Sequence, residues 1–192
     1  MKSTNSVLIM LIIFFILPFV SATNFDIDNK QKSCASIDPY KMLDADTAYN
    51  IAYLWTQKGG LSKWEFETLH DDTKPYKMNC VKYKFDAKLH LPKVFEQYIT
   101  GLYCNINVSK RVCVFENIVT EIVFVEGTSI FSDFHSVEVS RIKEDFIETS
   151  VKARYQIPWY FSFLESAINE HLGNSLKDHL SVMRDVLCDE NR

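Results

Sequence analysis

Val81-Lys82-Tyr83-Lys84-Phe85-Asp86-Ala87-Lys88-Leu89-His90-Leu91-Pro92-Lys93-Val94-Phe95-Glu96-Gln97-Tyr98 holds the clearest strand in the chain and the clearest turn into a helix. Val81, Tyr83, Phe85, Ala87, Leu89 and Leu91 alternate with Lys82, Lys84, Asp86, Lys88 and His90, the period of a strand with one buried face. Pro92 then suits the first turn of a helix, where its missing N–H would be unpaired anyway. Val94, Phe95, Tyr98 and Ile99 continue at helical spacing. A sheet with one greasy face therefore requires a cover, and helices are the available material.

Upstream, Asp44 or Asp46 can cap a helix whose Ala48, Ile51, Ala52 and Trp55 share a face, with Gly59-Gly60 as its stop. Trp64 to Leu69 alternates as a short strand, and His70 to Pro75 is turn chemistry leading into the long strand. Downstream, three runs read as strands. Val112 to Val125 has continuous apolar pairs that imply burial on both faces or a bulge. Ile130 to Ile142 offers Ile130, Phe134, Val137 and Val139 as inward residues, with a phase shift near His135-Ser136. Ile147 to Ile157 turns Ile147, Val151, Ala153, Tyr155 and Ile157 one way and Glu148, Ser150, Lys152, Arg154 and Gln156 the other.

Pro158-Trp159 opens the last element, in which Phe161, Leu164, Ile168, Leu172, Leu176, Leu180, Met183 and Leu187 recur at spacings of three and four. That is one unbroken apolar stripe, long enough as a helix to cross a small sheet. Gly173 in its middle permits a bend or a close approach. The chain thus reads as one α+β domain, a curved antiparallel sheet packed on a long C-terminal helix.

The ends and the cysteines set the setting. Lys2, the apolar run Val7 to Leu17, Pro18 and Val20-Ser21-Ala22 form a signal-peptide pattern, with an uncleaved membrane anchor as the alternative. The expected division is a signal at 1–22, a polar leader at 23–42 and a single domain at 43–188. The net charge of −4 comes without a basic stripe and argues against nucleic acid as partner. Five cysteines in an oxidising compartment imply two bridges and one further thiol. Cys104 with Cys113, flanking the short polar stretch Asn105 to Lys110, is the preferred pair, and Cys34 with Cys188 would staple the two ends. Asn107-Val108-Ser109 is a glycosylation sequon.

Chemical signatures are sparse. No HExxH, GxSxG, phosphate-binding or dinucleotide-binding pattern occurs, and no cysteine–histidine cluster has zinc-ligand spacing, so neither metal nor cofactor is expected. His171 and His179 are too far apart on one helix to share an ion, and Glu170-His171 and Asp178-His179 read as solvated helix surface. His135, between Phe134 and Ser136, reads as a hydrogen-bonded core histidine. Lys152 and Arg154 read as solvated, or else as contacts for an anionic head group.

The capped helix before Trp64-Glu65-Phe66, the Tyr76-Lys77-Met78 turn, the strand ending Leu89-His90-Leu91-Pro92-Lys93-Val94-Phe95 and the terminal helix from Phe161 together resemble the START and helix-grip superfamily of lipid-transfer domains. That resemblance implies a curved sheet wrapped around the last helix, enclosing an apolar tunnel for a sterol, phospholipid or other lipid, without chemistry. The chain departs from the pattern in showing three strand-like runs after Val112 where the family has more. The first functional expectation is therefore a secreted, non-enzymatic carrier of a lipid or other apolar ligand, touching membranes only transiently. Tyr83, Phe85, Phe134, Tyr155, Leu164, Ile168 and Leu172 would line its cavity, or else simply pack together. The alternative is a secreted protein–protein interaction module without a small-molecule ligand. An enzyme comes third, and would be marked by a buried acid beside a histidine in a cleft, with no nearby neutralising partner.

Overall fold

The computed structural model describes residues 20–34, 37–56, 61–69, 79–90, 103–127 and 132–188. The apolar run at 7–17, the stop at Gly59-Gly60, the turns at 70–78 and the helix entered at Pro92 lie outside these residues. Seven strands form one sheet: β1 Val20–Lys32, β2 Lys63–Leu69, β3 Asn79–His90, β4 Tyr103–Phe115, β5 Ile118–Gly127, β6 Ser132–Ile142 and β7 Phe146–Pro158. Their spatial order is β1-β7-β6-β5-β4-β3-β2, and every neighbouring pair is antiparallel. A 3₁₀ turn at Pro39–Leu43 precedes α1 (Ala45–Thr56), and a second at Trp159–Leu164 leads into α2 (Glu165–Cys188). The expected α+β class, a curved antiparallel sheet gripping a long C-terminal helix, is the observed one.

The strongest sequence patterns became the expected elements. Val81, Tyr83, Phe85 and Ala87 on β3 and Ile147, Val151, Ala153, Tyr155 and Ile157 on β7 are all buried. Asp44 caps α1, its Oδ2 accepting from the Thr47 backbone N–H at 2.9 Å and from the Thr47 hydroxyl at 3.1 Å. Ala48, Ile51 and Ala52 are buried beneath that helix, and Ile168, Leu180, Met183 and Leu187 beneath α2.

Four readings need correction. Residues 23–32 are not a leader outside the domain: they are most of β1, the edge strand paired with β7 from Val20↔Pro158 to Lys32↔Phe146. Thr23 is buried and Phe25 and Ile27 half-buried, but the intervening Asn24, Asp26 and Asp28 give the segment a loop-like composition. The second correction concerns the run from Val112 to Val125. It contains the end of β4, a two-residue turn in which Glu116 takes φ 51°, and β5. Ile118 and Phe124 point outward and are exposed, so the run is not buried on both faces.

On β6 the inward residues are Ser136, Glu138, Ser140 and Ile142, while Val137 and Val139 stand half-buried on the other face. The irregularity lies earlier than expected, between Ser132 and His135, where Asp133 takes φ 55°. Finally, Cys113 is bonded to Cys80, its partner across β3 and β4, rather than to Cys104. Cys104 lies on the same extended strand as Cys113, and nine residues of strand span roughly 30 Å, far beyond disulfide reach. Cys34 and Cys188 are joined, stapling the end of α2 to the segment after β1.

Gly173 lies in the interior of α2, where glycine costs about 1 kcal/mol against alanine. A methyl group there would meet Ile27 Cδ1 at 3.5 Å, an ordinary contact. Gly173→Ala is therefore expected to stabilise the protein by about 0.5–1 kcal/mol in chemical denaturation, with an unchanged m-value.

Candidate functional site

The concave face of the sheet carries a buried polar row in its middle. Strand register sets Tyr83 opposite Lys110 on β4, and Glu121 on β5 opposite Glu138 on β6. Beside them Ser140 faces Thr149, their hydroxyls 2.8 Å apart. α2 lays His179 onto this row from above. Lys110, Glu121, Glu138 and His179 are each less than a tenth exposed.

The charges here nearly cancel within the row. The Lys110 ammonium is paired with Glu121 Oε2 and lies 3.0 Å from His179 Nε2. His179 Nε2 is 3.6 Å from Glu121 Oε2, and Lys110 Nζ stands 5.9 Å from the centre of the Tyr83 ring. Burial pushes the Glu121 carboxyl up, but Lys110 and His179 together outweigh it and bring it down to about 2. Burial opposes the Lys110 charge too, and Glu121, Tyr83 and Glu138 together hold its pKa above the usual lysine value. Glu138 has burial and the facing Glu121 both against its charge, and is pushed up to about 8. His179 is held neutral by burial and by Lys110. The row at neutral pH is one ion pair, one protonated acid and one neutral imidazole.

Glu121, Glu138 and His179 bring ligand atoms within 4.8 Å of one another, a spacing compatible with a metal ion. Lys110 already meets two of the three, so an ammonium fills the place a metal would take. We read the group as an internally neutralised cluster.

A pocket of about 290 Å³ opens beside this cluster, between α2 and the β3–β4 end of the sheet. Its apolar lining is Trp55, Ala87 and Ile106; Asn174, Ser175 and Asp178 of α2 are among its polar groups. Trp55 forms the partition. Its ring stands 5.4 Å from the His179 ring, edge to face, and its indole N–H donates to the Ser175 carbonyl at 3.1 Å.

None of the seven residues expected to line a cavity is in the lining of this pocket. Tyr83 and Phe85 pack against Trp64, which in turn meets Tyr49 of α1. Tyr155 donates to Asn169 Oδ1 at 2.7 Å and meets Phe25 edge to face. Leu164 and Ile168 are buried in the core, with Phe134 and Leu172 partly buried against it. His179, read as solvated, is buried; His135, read as core, lies half-buried on the outer face with its ring 4.6 Å from exposed Phe124. Lys152 and Arg154 are exposed on that outer face. Asn107 is exposed there as well, its amide donating to Asp86 Oδ1 at 2.8 Å.

Two sequence signals pointed toward the cluster. Lys110 continues the inward series Ile106, Val108, Val112 and Val114, and His179 falls within the stripe between Leu176 and Met183.

No protein-family description matches this chain, and no curated protein matches it. Among solved structures, an uncharacterised protein from Rhizobium leguminosarum superposes with a TM-score of 0.52 at 10% identity, over 88% of this chain and 97% of that one. A protein from Thermus thermophilus gives 0.50 at 10% identity, over 88% and 100%. A truncated norcoclaurine synthase from Thalictrum flavum gives 0.48 at 10% identity, over 89% and 98%. At such identity the first two likenesses show the helix-grip fold and nothing further.

Two outcomes follow from the electrostatics. Lys110→Met strands the Glu121 carboxylate in the core and should cost about 3–5 kcal/mol, whereas Lys110→Met with Glu121→Gln should recover most of it, as read by urea unfolding. Glu138, with its folded pKa raised, contributes stability that is complete below the ordinary carboxylate range and is lost as pH rises through about 8. Glu138→Gln should remove that decline and be the more stable form above pH 8, as read by thermal melts between pH 5 and 9.

Proposed function

We propose that the protein is a secreted, non-enzymatic carrier of a small apolar ligand, held in the pocket between α2 and the sheet. The observation that carries this reading is the pocket itself, walled by Trp55, Ala87 and Ile106 and bordered by Thr56, Lys88 and polar groups of α2. A concave, largely apolar site with a few placed polar groups is the usual form of a small-molecule site, and its volume is at the lower end of the roughly 300–1,000 Å³ such sites span. The helix-grip fold supports it, since that fold clasps its last helix over a sheet and leaves space at the open end. Secretion is supported by the apolar N-terminal run and by two disulfides. No helix among the described residues is long and apolar enough to cross a membrane. The exposed sequon at Asn107 supports glycosylation in the same compartment.

A second reading, an interaction module, has one observation in its favour. Phe124 is 50% exposed on the outer face of the sheet, with exposed Ile118 on the same strand and half-buried Ile122, Val137 and Val139 around it. The carrier reading ranks first because it uses the shape of the molecule and not only its surface.

The test is binding of N-phenyl-1-naphthylamine, followed by its fluorescence, to the mature chain and to Asn174→Trp, which fills the mouth from an exposed rim position. Saturable binding by the parent chain, weakened at least tenfold in the variant, is expected. Absence of saturable binding, together with no apolar molecule in solvent extracts of the natively purified protein, would refute the carrier.

A further inference from the structure

The buried cluster contains polar atoms that its own members leave without partners. An ammonium has donors only, so Lys110 donates to His179 Nε2, which must then be the unprotonated ring nitrogen. The neutral ring consequently carries its hydrogen on Nδ1. That Nδ1 donor has no partner, and neither has Glu121 Oε1 nor Glu138 Oε1. The residues that bear these atoms are 8%, 1% and 2% exposed, so bulk water does not serve them. Buried polar groups are paired as a rule, and orphans in such number mark a place where something else is received.

The charge balance says what kind of group that is. Lys110 and Glu121 cancel, Glu138 retains its proton near neutral pH, and His179 is neutral. An incoming carboxylate would face Glu121, and an incoming ammonium would face Lys110; either would add an unpaired charge to a buried site. A neutral group that both donates and accepts meets neither penalty. An alcohol hydroxyl can accept from His179 Nδ1–H and donate to a glutamate oxygen. Two partners of one hydroxyl oxygen stand roughly 4.6 Å apart at ordinary hydrogen-bond lengths. Glu121 and Glu138 each bring a carboxyl oxygen within 4.8 Å of a ring nitrogen of His179, so both acids border the imidazole.

Trp55 lines the pocket and meets the His179 ring, while the four cluster side chains themselves lie outside the pocket lining. We propose that the Lys110–Glu121–Glu138–His179 cluster is the polar end of the ligand site and takes the hydroxyl of an amphipathic alcohol whose apolar body occupies the pocket, with the Trp55 indole as the partition the ligand passes. This rests on the carrier reading above and narrows its ligand class from apolar molecules in general to neutral alcohols.

The experiment uses probes that share one chain and differ only at its end: 1-dodecanol, dodecanoate, dodecylammonium and 1-methoxydodecane. Each competes with N-phenyl-1-naphthylamine on the mature protein at pH 7, and the imidazole ¹⁵N resonances of His179 are recorded with each. Dodecanol should bind at least tenfold more tightly than the other three and shift the His179 nitrogens, which the ether, lacking a donor, should move less. Equal competition by all four with His179 unmoved would show that the orphan atoms hold water only, ending this proposal while leaving the carrier intact. Tightest binding by the acid or the amine would overturn the charge argument. Failure of all four to displace a bound naphthylamine would also end the proposal, and failure of the naphthylamine itself to bind, with no apolar molecule in solvent extracts of the natively purified protein, would end the carrier reading with it.

Discussion

Two carboxyl groups face each other across β5 and β6 inside a closed layer of side chains, and the rest of the interior is arranged to make that tolerable. Like charges directly opposite in a sheet repel even when exposed. Inside a core they cannot both ionise. Lys110 resolves one half by pairing with Glu121, and the proton retained by Glu138 resolves the other. The lysine, in turn, needs an acceptor for another of its hydrogens, and the helix supplies it through His179 Nε2. The rotational setting of α2 is thereby tied to the register of the sheet beneath it.

That tie is one of several spread along the helix. Glu165 at its start accepts from the Thr23 hydroxyl at 3.1 Å, and Asn169 one turn on accepts from Tyr155. Ser175 holds the Trp55 indole, His179 meets Lys110, and Cys188 is bonded to Cys34. A helix of 24 residues, roughly 36 Å long, is thus fixed at both ends and in the middle, by partners from β1, β7, α1 and β4. Ile168, Leu180, Met183 and Leu187 supply the apolar burial between these polar ties. The apolar stripe decides which face of the helix is down, and the directional polar ties refine its rotational setting over the sheet.

The elements legible in the sequence were those in which polarity and burial agree. β3, β7 and the stripe of α2 are of this kind: apolar side chains point inward and charged ones outward. The elements that were misread invert the rule. β4 hid because Lys110 occupies an inward position, making Asn105 to Lys110 look like a polar loop when Ile106 and Val108 already alternate there. β6 was read in the wrong phase because its valines face outward while Ser136, Glu138 and Ser140 face in. β1 hid behind aspartates that lie on the solvent side of an edge strand. In each case the missing information was the identity of a partner far away in the chain. A buried Glu138 makes no sense beside its neighbours in sequence and full sense beside Glu121 and Lys110. The same holds for the sulfur pairing, since Cys80 and Cys113 become neighbours only once β3 and β4 are in register.

A core that had only to be stable would gain nothing from this row. Replacing a buried ion pair by well-packed apolar residues is often neutral or favourable, while leaving buried donors and acceptors unpaired is a direct cost. The cost here is concentrated at one place: among the described residues the orphan side-chain atoms all belong to Glu121, Glu138 and His179. Elsewhere the inward polar pair Ser140 and Thr149 satisfies itself, and the Tyr155 hydroxyl has its acceptor. The fold therefore closes hydrogen bonds where only packing is at stake and leaves them open where Trp55 divides the row from the pocket. Unpaired polarity is thus confined to one row, beside the imidazole that packs on Trp55.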